Sequence, residues 1–597
     1  MFRDLNEKQK EAVFWEGGAL LIVAGAGSGK TKTLTARLAF LITQKGVDPQ
    51  KILAITFTNK AAEEMKSRVK NFISKEKLKI NHFPFVGTFH SLGAKILREE
   101  AKLLKRTPNF SIFDDDDSLR LIKKIVKEKG LSSFYPATLM KKFSWIKNEL
   151  VEEKRFFEES EEEKKDLIWE IFQDYELALE RNNAFDFDDL IQKVVWLFKN
   201  SEEIRKKHQK RYHYILVDEY QDINSAQYWL LRLLVGEKGN LNVVGDDAQS
   251  IYSFRFSDFR NFLNFEHDWP QAKVVFLEQN YRSTKNIIES SSVLISKNTL
   301  GKKKNLWTEN EEGSLIKVVE HQDEFEEANF IVEQASYFAN QGKSVGILFR
   351  TNAQSRPLEQ LFLEMGKDYN LFGAFSFYER KEIKDVVAGL RLAFNPNDEI
   401  SKERLKTNFS QKITLLWEEA LSSFKKEAPP LQLIEAFLKI TNYLERLKKD
   451  YSNYQERWEN IQELIYFASQ FESLADFLEK VSLVSPLDLT WQRRKRKTKN
   501  PLVPSLMTIH LAKGLEFDVV LVAGVNEGIL PHQRSLFSLP DLEEERRLMY
   551  VAMTRARKEL FLNFYGTPSR FLYEIPPEKV EFWGRNLEDE EGWIDYN

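Results

Sequence analysis

Leu20-Leu21-Ile22-Val23-Ala24-Gly25-Ala26-Gly27-Ser28-Gly29-Lys30-Thr31 narrows the possible folds more than any other stretch. An apolar run suited to a buried strand breaks into a glycine-rich loop ending in Gly-Lys-Thr. Leu34, Leu38, Leu41 and Ile42 then follow at helical spacing. Strand, phosphate loop and helix in that order make a polyphosphate cradle. Glycines let backbone N–H groups face phosphate oxygens, and the helix N-terminus adds partial positive charge. Lys30 reaches the β- and γ-phosphates, and the Thr31 hydroxyl is suited to Mg²⁺. The predicted cofactors are ATP and Mg²⁺, with Ala24, Gly25, Ala26, Gly27, Ser28, Gly29, Lys30 and Thr31 around the phosphates. The strict pattern asks for glycine at position 24, where the chain has Ala24.

A chain of 597 residues exceeds one ordinary core and predicts three to five domains. Hydrophobic residues make up 42% and charged residues 30%, a globular composition. The net charge of −3 means that any nucleic-acid surface has to be a local basic patch. Cysteine is absent, which removes disulfides, thiolate metal sites and thiol nucleophiles. No basic-then-apolar leader and no run of membrane-span length is present, so the expectation is a cytoplasmic protein without a membrane partner.

Further strand-to-polar-tip units follow. Asn6 is a candidate helix N-cap that places Gln9 on the first turns, where its amide can read an adenine edge or simply face solvent. Lys51–Thr58 and Phe85–Ser91 each read as an apolar strand ending in polar and aromatic residues. Tyr212–Val217 delivers Asp218 and Glu219 to a strand end. Asp218 can hold Mg²⁺ beside Thr31, and Glu219 can activate water. Asn240–Gly245 leads to Gln249, placed to sense a γ-phosphate. Ser250-Ile251-Tyr252-Ser253-Phe254-Arg255-Phe256 reads either as a base-stacking platform or as an amphipathic core segment. In Phe185–Leu190 the acids serve as helix caps.

These motifs resemble superfamily 1 DNA helicases of the UvrD/PcrA/Rep type. The resemblance runs through Ala24–Thr31, Ile55–Met65, Gly87–Ser91, Asp186–Leu190, Val217–Asp222, Val244–Arg255, Leu277–Thr284, Arg350–Arg356, Met507–Phe517 and Glu543–Ala556. It implies an α/β fold with two RecA-like parallel-sheet P-loop NTPase domains, each carrying a mainly helical insertion. It places Gln9 at adenine, Tyr281 on the base, Glu516 near the ribose, and Arg282 and Arg555 at the γ-phosphate. With Lys30, Asp218, Glu219 and Gln249 these arginines form the implied catalytic set. Single-stranded DNA contacts fall on Phe57, His90, Phe187, Tyr252, Phe254, Arg255, Arg350 and Asn352. The implied activity is a 3′→5′ ATP-driven DNA helicase or translocase in repair or replication restart. Its implied partners are single strands, single/double-strand junctions and repair proteins.

Helical spacing over 94–181 reads as an insertion in a first domain made of 1–93 and 182–283. A second α/β domain spans 284–374 and 505–577, with strands expected at Leu315–Glu320, Val345–Phe349, Leu506–His510, Val519–Ala523 and Leu560–Phe564. It has no second Gly-Lys-Thr loop, so one ATP is expected between the domains. The second insertion, 375–504, is shortened and lacks the Gly-Ile-Gly hairpin usual in the family. It ends in a basic run, Gln492–Pro501, readable as a duplex contact or as a solvated linker. Residues 578–597 read as an acidic tail. Phe254 stands where the family usually has Trp, and Phe256-Ser257 where it has Gly-Ala. Competing readings are a translocase that strips proteins from single strands and an ATP-gated DNA-binding module without turnover. A small-molecule phosphotransferase is disfavoured because no acceptor-pocket motif is present.

Overall fold

The computed structural model describes residues 1–76, 82–131, 134–159, 164–236, 239–372, 377–424, 428–451, 453–483 and 502–584. Strands β1 (Leu20–Ala24), β2 (Ile52–Thr56) and β3 (Phe85–Thr88) open the chain. The short strands β4 (Ser111–Phe113) and β5 (Ala184–Asp186) pair with each other across a helical excursion. β6 (Tyr214–Val217), β7 (Leu241–Gly245) and β8 (Lys273–Leu277) complete a six-stranded parallel sheet of order β3-β2-β6-β7-β1-β8. All five β1 residues are buried because helices cover both faces. Leu21 and Val23 enter one core and Leu20, Ile22 and Ala24 the other, the period-two alternation of a strand.

A two-stranded link follows, β9 (Gln279–Asn280) with β10 (Trp307–Thr308). β11 (Ile316–His321), β12 (Val345–Phe349), β13 (Asn370–Leu371), β14 (Ser505–Thr508), β15 (Phe517–Val522), β16 (Ala556–Tyr565) and β17 (Val580–Trp583) form a second parallel sheet. Its order is β13-β14-β12-β15-β16-β11-β17. Val520 and Val522 of β15 pack on one side, Val519 and Leu521 on the other.

Two boundaries shift from expectation. Position 94 falls inside the helix Phe89–Glu100, whose Leu92, Ile96 and Leu97 belong to the first sheet's core. The span 578–597 contains β17, which pairs with β11 as the sheet's edge, so acidity after Pro577 did not mean a free tail. Residues 585–597 and the basic run Gln492–Pro501 lie outside the described residues.

Both insertions are helical, and each has its own core. The first packs Leu121, Ile122, Phe143 and Ile171. The second buries Trp417, whose Nε1–H donates to the Gly389 carbonyl at 3.0 Å. They are latched together. Arg391 pairs with Asp117 and donates to the Ile112 carbonyl, and Asn395 donates to Ser111 Oγ and to the Asn182 and Asn183 carbonyls. Ser111 in turn donates to Asp398 at 2.8 Å. Among the described residues no helix is long and apolar enough to cross a membrane.

Candidate active site

The phosphate loop joins β1 to the helix Lys30–Thr43. Gly27 and Gly29 adopt φ of 67° and 84°, the left-handed region that glycine enters without a Cβ penalty. A Cβ on Gly27 would stand 2.4 Å from Asn280 Nδ2. Ala24 is the last residue of β1, in extended backbone and fully buried, so alanine costs nothing where the strict pattern has glycine. Gln9 is buried rather than on the surface. It closes a capping box with Asn6, and its amide donates to the Ser28 carbonyl at 3.0 Å. Asn6 also donates to the Tyr281 hydroxyl at 2.7 Å, and the Tyr281 N–H donates to the Gly27 carbonyl. Gln9 and half-exposed Tyr281 thus flank one end of the loop.

Lys30 Nζ lies 3.4 Å from Glu219 Oε2, and the Thr31 hydroxyl donates to Asp218 Oδ2 at 3.1 Å. Glu219 holds φ 53°, ψ 44°, a strained setting for a non-glycine residue that turns its carboxylate into the cleft. The adjacent carboxyls are driven apart. Burial and the neighbouring Glu219 charge lift Asp218 to about 7. Burial opposes ionisation of Glu219, yet Lys30 and Lys513 outweigh it and hold that carboxylate down at about 2. The Asp218 carboxyl and the Thr31 hydroxyl beside it form an all-oxygen donor pair, which fits a hard divalent ion such as Mg²⁺. A three-ligand cluster elsewhere among the described residues, Glu99, Glu100 and His208, is already neutralised by Lys207 and Arg211.

A cleft of about 1180 Å³ collects Gly27–Thr31, Glu219, Gln249, Tyr281, Arg282, Glu516 and Arg555. Arg555 is buried, donates to the Val551 and Leu515 carbonyls, and reaches Gln249 Oε1 at 3.4 Å. Burial and the like charge of Arg282 depress its pKa to about 9. A second positive charge held this close suits an anionic occupant. Arg282 pairs with Glu516 at 2.7 Å and donates to the Thr554 carbonyl. Glu516 also pairs with Arg557, so it serves as an arginine holder within the cleft.

Of the residues expected to touch DNA, six line a second cleft of about 1430 Å³: Phe57, His90, Phe187, Tyr252, Phe254 and Arg255. Phe254 is 60% exposed, with Arg255 alongside at 5.7 Å. Tyr252 is only 3% exposed. It lies under Phe57 in a stacked pair 5.2 Å apart and donates its hydroxyl to the His510 carbonyl. Tyr252 thus has little free ring face, whereas the Phe254 ring is open to the cleft. His90 sits edge-on to Phe187 at 5.9 Å, and burial with Arg255 nearby pushes it down to about 4, so it is neutral at pH 7. Arg350 and Asn352 lie outside the cleft lining. Arg350 is held bidentate by Glu545, and Asn352 is an exposed residue of a short turn. Phe256 takes φ 63°, which accounts for glycine being the expected residue there.

Three participants were not anticipated. Asn280 donates to the Ala26 carbonyl at 2.7 Å and accepts from Arg282 and Ser283 N–H groups. Lys304 neutralises Asp246 and Asp247. Lys513 crosses from the second α/β unit to Asp222 and the Gln249 carbonyl. Asn280 directly precedes the Tyr-Arg pair and was legible as a candidate. Lys513 lies within the motif Met507–Phe517 but was given no role, and Lys304 carries no local signal.

Comparison with known proteins agrees with this arrangement. Residues 5–270 match the UvrD/REP helicase N-terminal domain, and 275–428 and 418–567 match the UvrD-like helicase C-terminal domain. The ATP-dependent DNA helicase PcrA of Bacillus subtilis is 40% identical, over 97% of this chain and 86% of that protein. The proteins of the same name from Staphylococcus epidermidis and Staphylococcus aureus are 38% and 37% identical, each over 97% of this chain and 87% of theirs. With both halves matched end to end, the chain belongs to the UvrD/REP helicase family.

Proposed function

We propose that the protein is an ATP-dependent DNA helicase that moves 3′→5′ along single-stranded DNA and separates duplex ahead of it. The observation that carries this reading is that one short segment lines both clefts. Gln249 lines the nucleotide cleft, and five residues later Phe254 lines the other. Lys30 and the loop N–H groups bind the triphosphate, with Gln9 and Tyr281 at the base. Thr31 and Asp218 hold Mg²⁺, which supplies charge neutralisation at the phosphate oxygens. Glu219, held ionised, accepts a proton from the attacking water. Arg282 and Arg555 leave Glu516 and Gln249 to face the γ-phosphate as the cleft closes, coupling hydrolysis to domain movement. Phe254, Phe57 and Phe187 offer ring faces to bases and Arg255 a phosphate contact.

The shortened second insertion favours one alternative, a translocase that clears proteins from single strands and unwinds poorly. Hydrolysis measured with single-stranded DNA, duplex DNA and RNA side by side tests the motor. Forked duplexes with only a 3′ or only a 5′ tail test the rest. Stimulation by single strands and opening of the 3′-tailed fork are expected. Hydrolysis indifferent to nucleic acid, or opening of the 5′-tailed fork alone, overturns the proposal.

A further inference from the structure

Lys513 is a buried cation whose one task so far is to help Lys30 keep Glu219 ionised. It follows β14 and the short helix Ile509–Ala512 of the second α/β unit, yet all its polar partners belong to the first. Its side chain is 7% exposed and pairs with Asp222, which is fully buried. Its ammonium also donates to the Gln249 carbonyl at 2.6 Å and lies 4.9 Å from the centre of the Tyr252 ring. Two of these contacts lead to the nucleotide cleft and the third to the strand cleft. Asp222 accepts from Gln221, which also donates to Glu219 at 2.7 Å, so this arm ends on the candidate general base. Gln249 touches Arg555. Tyr252 is the underside of the stacking platform.

A lysine used only as glue between domains would pair at the rim, where desolvation is small. This one gives up its water to bridge the groups under the nucleotide and the group under the strand. We propose that Lys513 is the positioning residue through which nucleotide occupancy and strand occupancy sense each other. Movement of Gln249 or Glu219 on nucleotide binding shifts the ammonium and, with it, Tyr252 and the exposed Phe254. Strand binding acts by the reverse route. This inference rests on the proposed function, since it needs both ligands.

The test reads a ratio. Binding of a labelled oligothymidylate is measured with and without a non-hydrolysable ATP analogue, and binding of the analogue with and without the oligonucleotide. Linkage requires one coupling factor from both routes, in the range of about 5–150-fold for coupled sites. The double variant Lys513→Met/Asp222→Asn removes both charges, so no carboxylate is left buried alone, and uniform weakening of either ligand cancels in the ratio. Its factor is expected to fall to within about twofold of one. Arg547→Met is the control. Arg547 also crosses the interface, donating to the Ser250 carbonyl at 2.8 Å, but it does not touch the relay. It should keep the wild-type factor. A double variant with the wild-type factor, or an Arg547 variant that loses it equally, overturns the role of Lys513. A wild-type protein that binds no oligothymidylate overturns the proposed function itself.

Discussion

The two parallel sheets share an architecture but meet their ligands differently. The six-stranded sheet serves both ligands from one edge, the C-terminal ends of its strands. β1 leads into the phosphate loop, β6 into Asp218 and Glu219, β7 into Gln249, and β2 and β3 into Phe57 and His90. The seven-stranded sheet divides the work between its two edges. Glu516 and Arg555 stand just before β15 and β16, at the strands' N-terminal ends, and face the nucleotide cleft. Arg350 and His510 follow β12 and β14, at the opposite ends, and His510 lies 5.4 Å from the Phe254 ring. The second sheet thus places its residues at both ends of its strands, whereas the first concentrates its own at one.

Removing the second sheet's contribution to the nucleotide cleft should have the largest effect. Arg555→Ala is expected to slow DNA-stimulated hydrolysis by about 10³–10⁵-fold, the range for arginines that stabilise phosphoryl-transfer charge. Analogue binding should weaken far less. Single-turnover hydrolysis checks it, and a loss under tenfold would assign the finger to Arg282 alone. On the first sheet, Glu219→Gln should cost about 10²–10⁴-fold in turnover while analogue affinity is retained, because the amide keeps the shape and loses the base. Normal turnover by this variant would break the general-base assignment.

Much of the first sheet's equipment was legible because it is local. The loop, the Asp-Glu pair and the Asn6 cap each lie within a few residues of the strand or helix that positions them. The second sheet's equipment was less so. Lys513 and its partner Asp222 are 291 positions apart, and Arg350 and Glu545 195 apart. Spacing along the chain carries no trace of such pairs, and the resemblance supplied Arg350 as a DNA contact without its carboxylate. Tyr252 shows a different limit. Alternating aromatics suit a platform and a core equally, and here one ring became each. β17 was missed because a short edge strand half exposed to solvent has no apolar run to announce it.

One carboxylate of the second unit is kept differently from the others. Glu219 lies by Lys30, Asp246 with Asp247 by Lys304, and Glu545 by Arg350. Glu327, packed against the second sheet, accepts only the Gly524 N–H at 2.8 Å, and burial lifts it to about 8. A carboxyl raised above its unfolded value favours folding while protonated. Its contribution is therefore complete below about pH 4.5 and is lost as pH rises through about 8, a change of about 5 kcal/mol. Glu327→Gln keeps an acceptor for Gly524 and removes the ionisation. Denaturant melts should show the variant gaining on wild type from about pH 6 to about pH 9. Parallel pH profiles would mean that Glu327 is ionised and partnered in solution.

The smallest effect expected is at the platform itself, where the first sheet carries Phe254. An exposed ring is worth about 1–3 kcal/mol per stacked base, so Phe254→Ala should weaken oligothymidylate binding by about 5–150-fold. The dependence of affinity on salt should not change, because salt reports phosphate contacts and a phenyl ring makes none. Phe254→Trp adds ring area at the same place and should tighten binding. If tryptophan weakens binding as alanine does, the ring is packing against His510, 5.4 Å away, to join the two sheets. The base would then stack elsewhere in the cleft, with Phe57 and Phe187 as the remaining candidates on the first sheet's side.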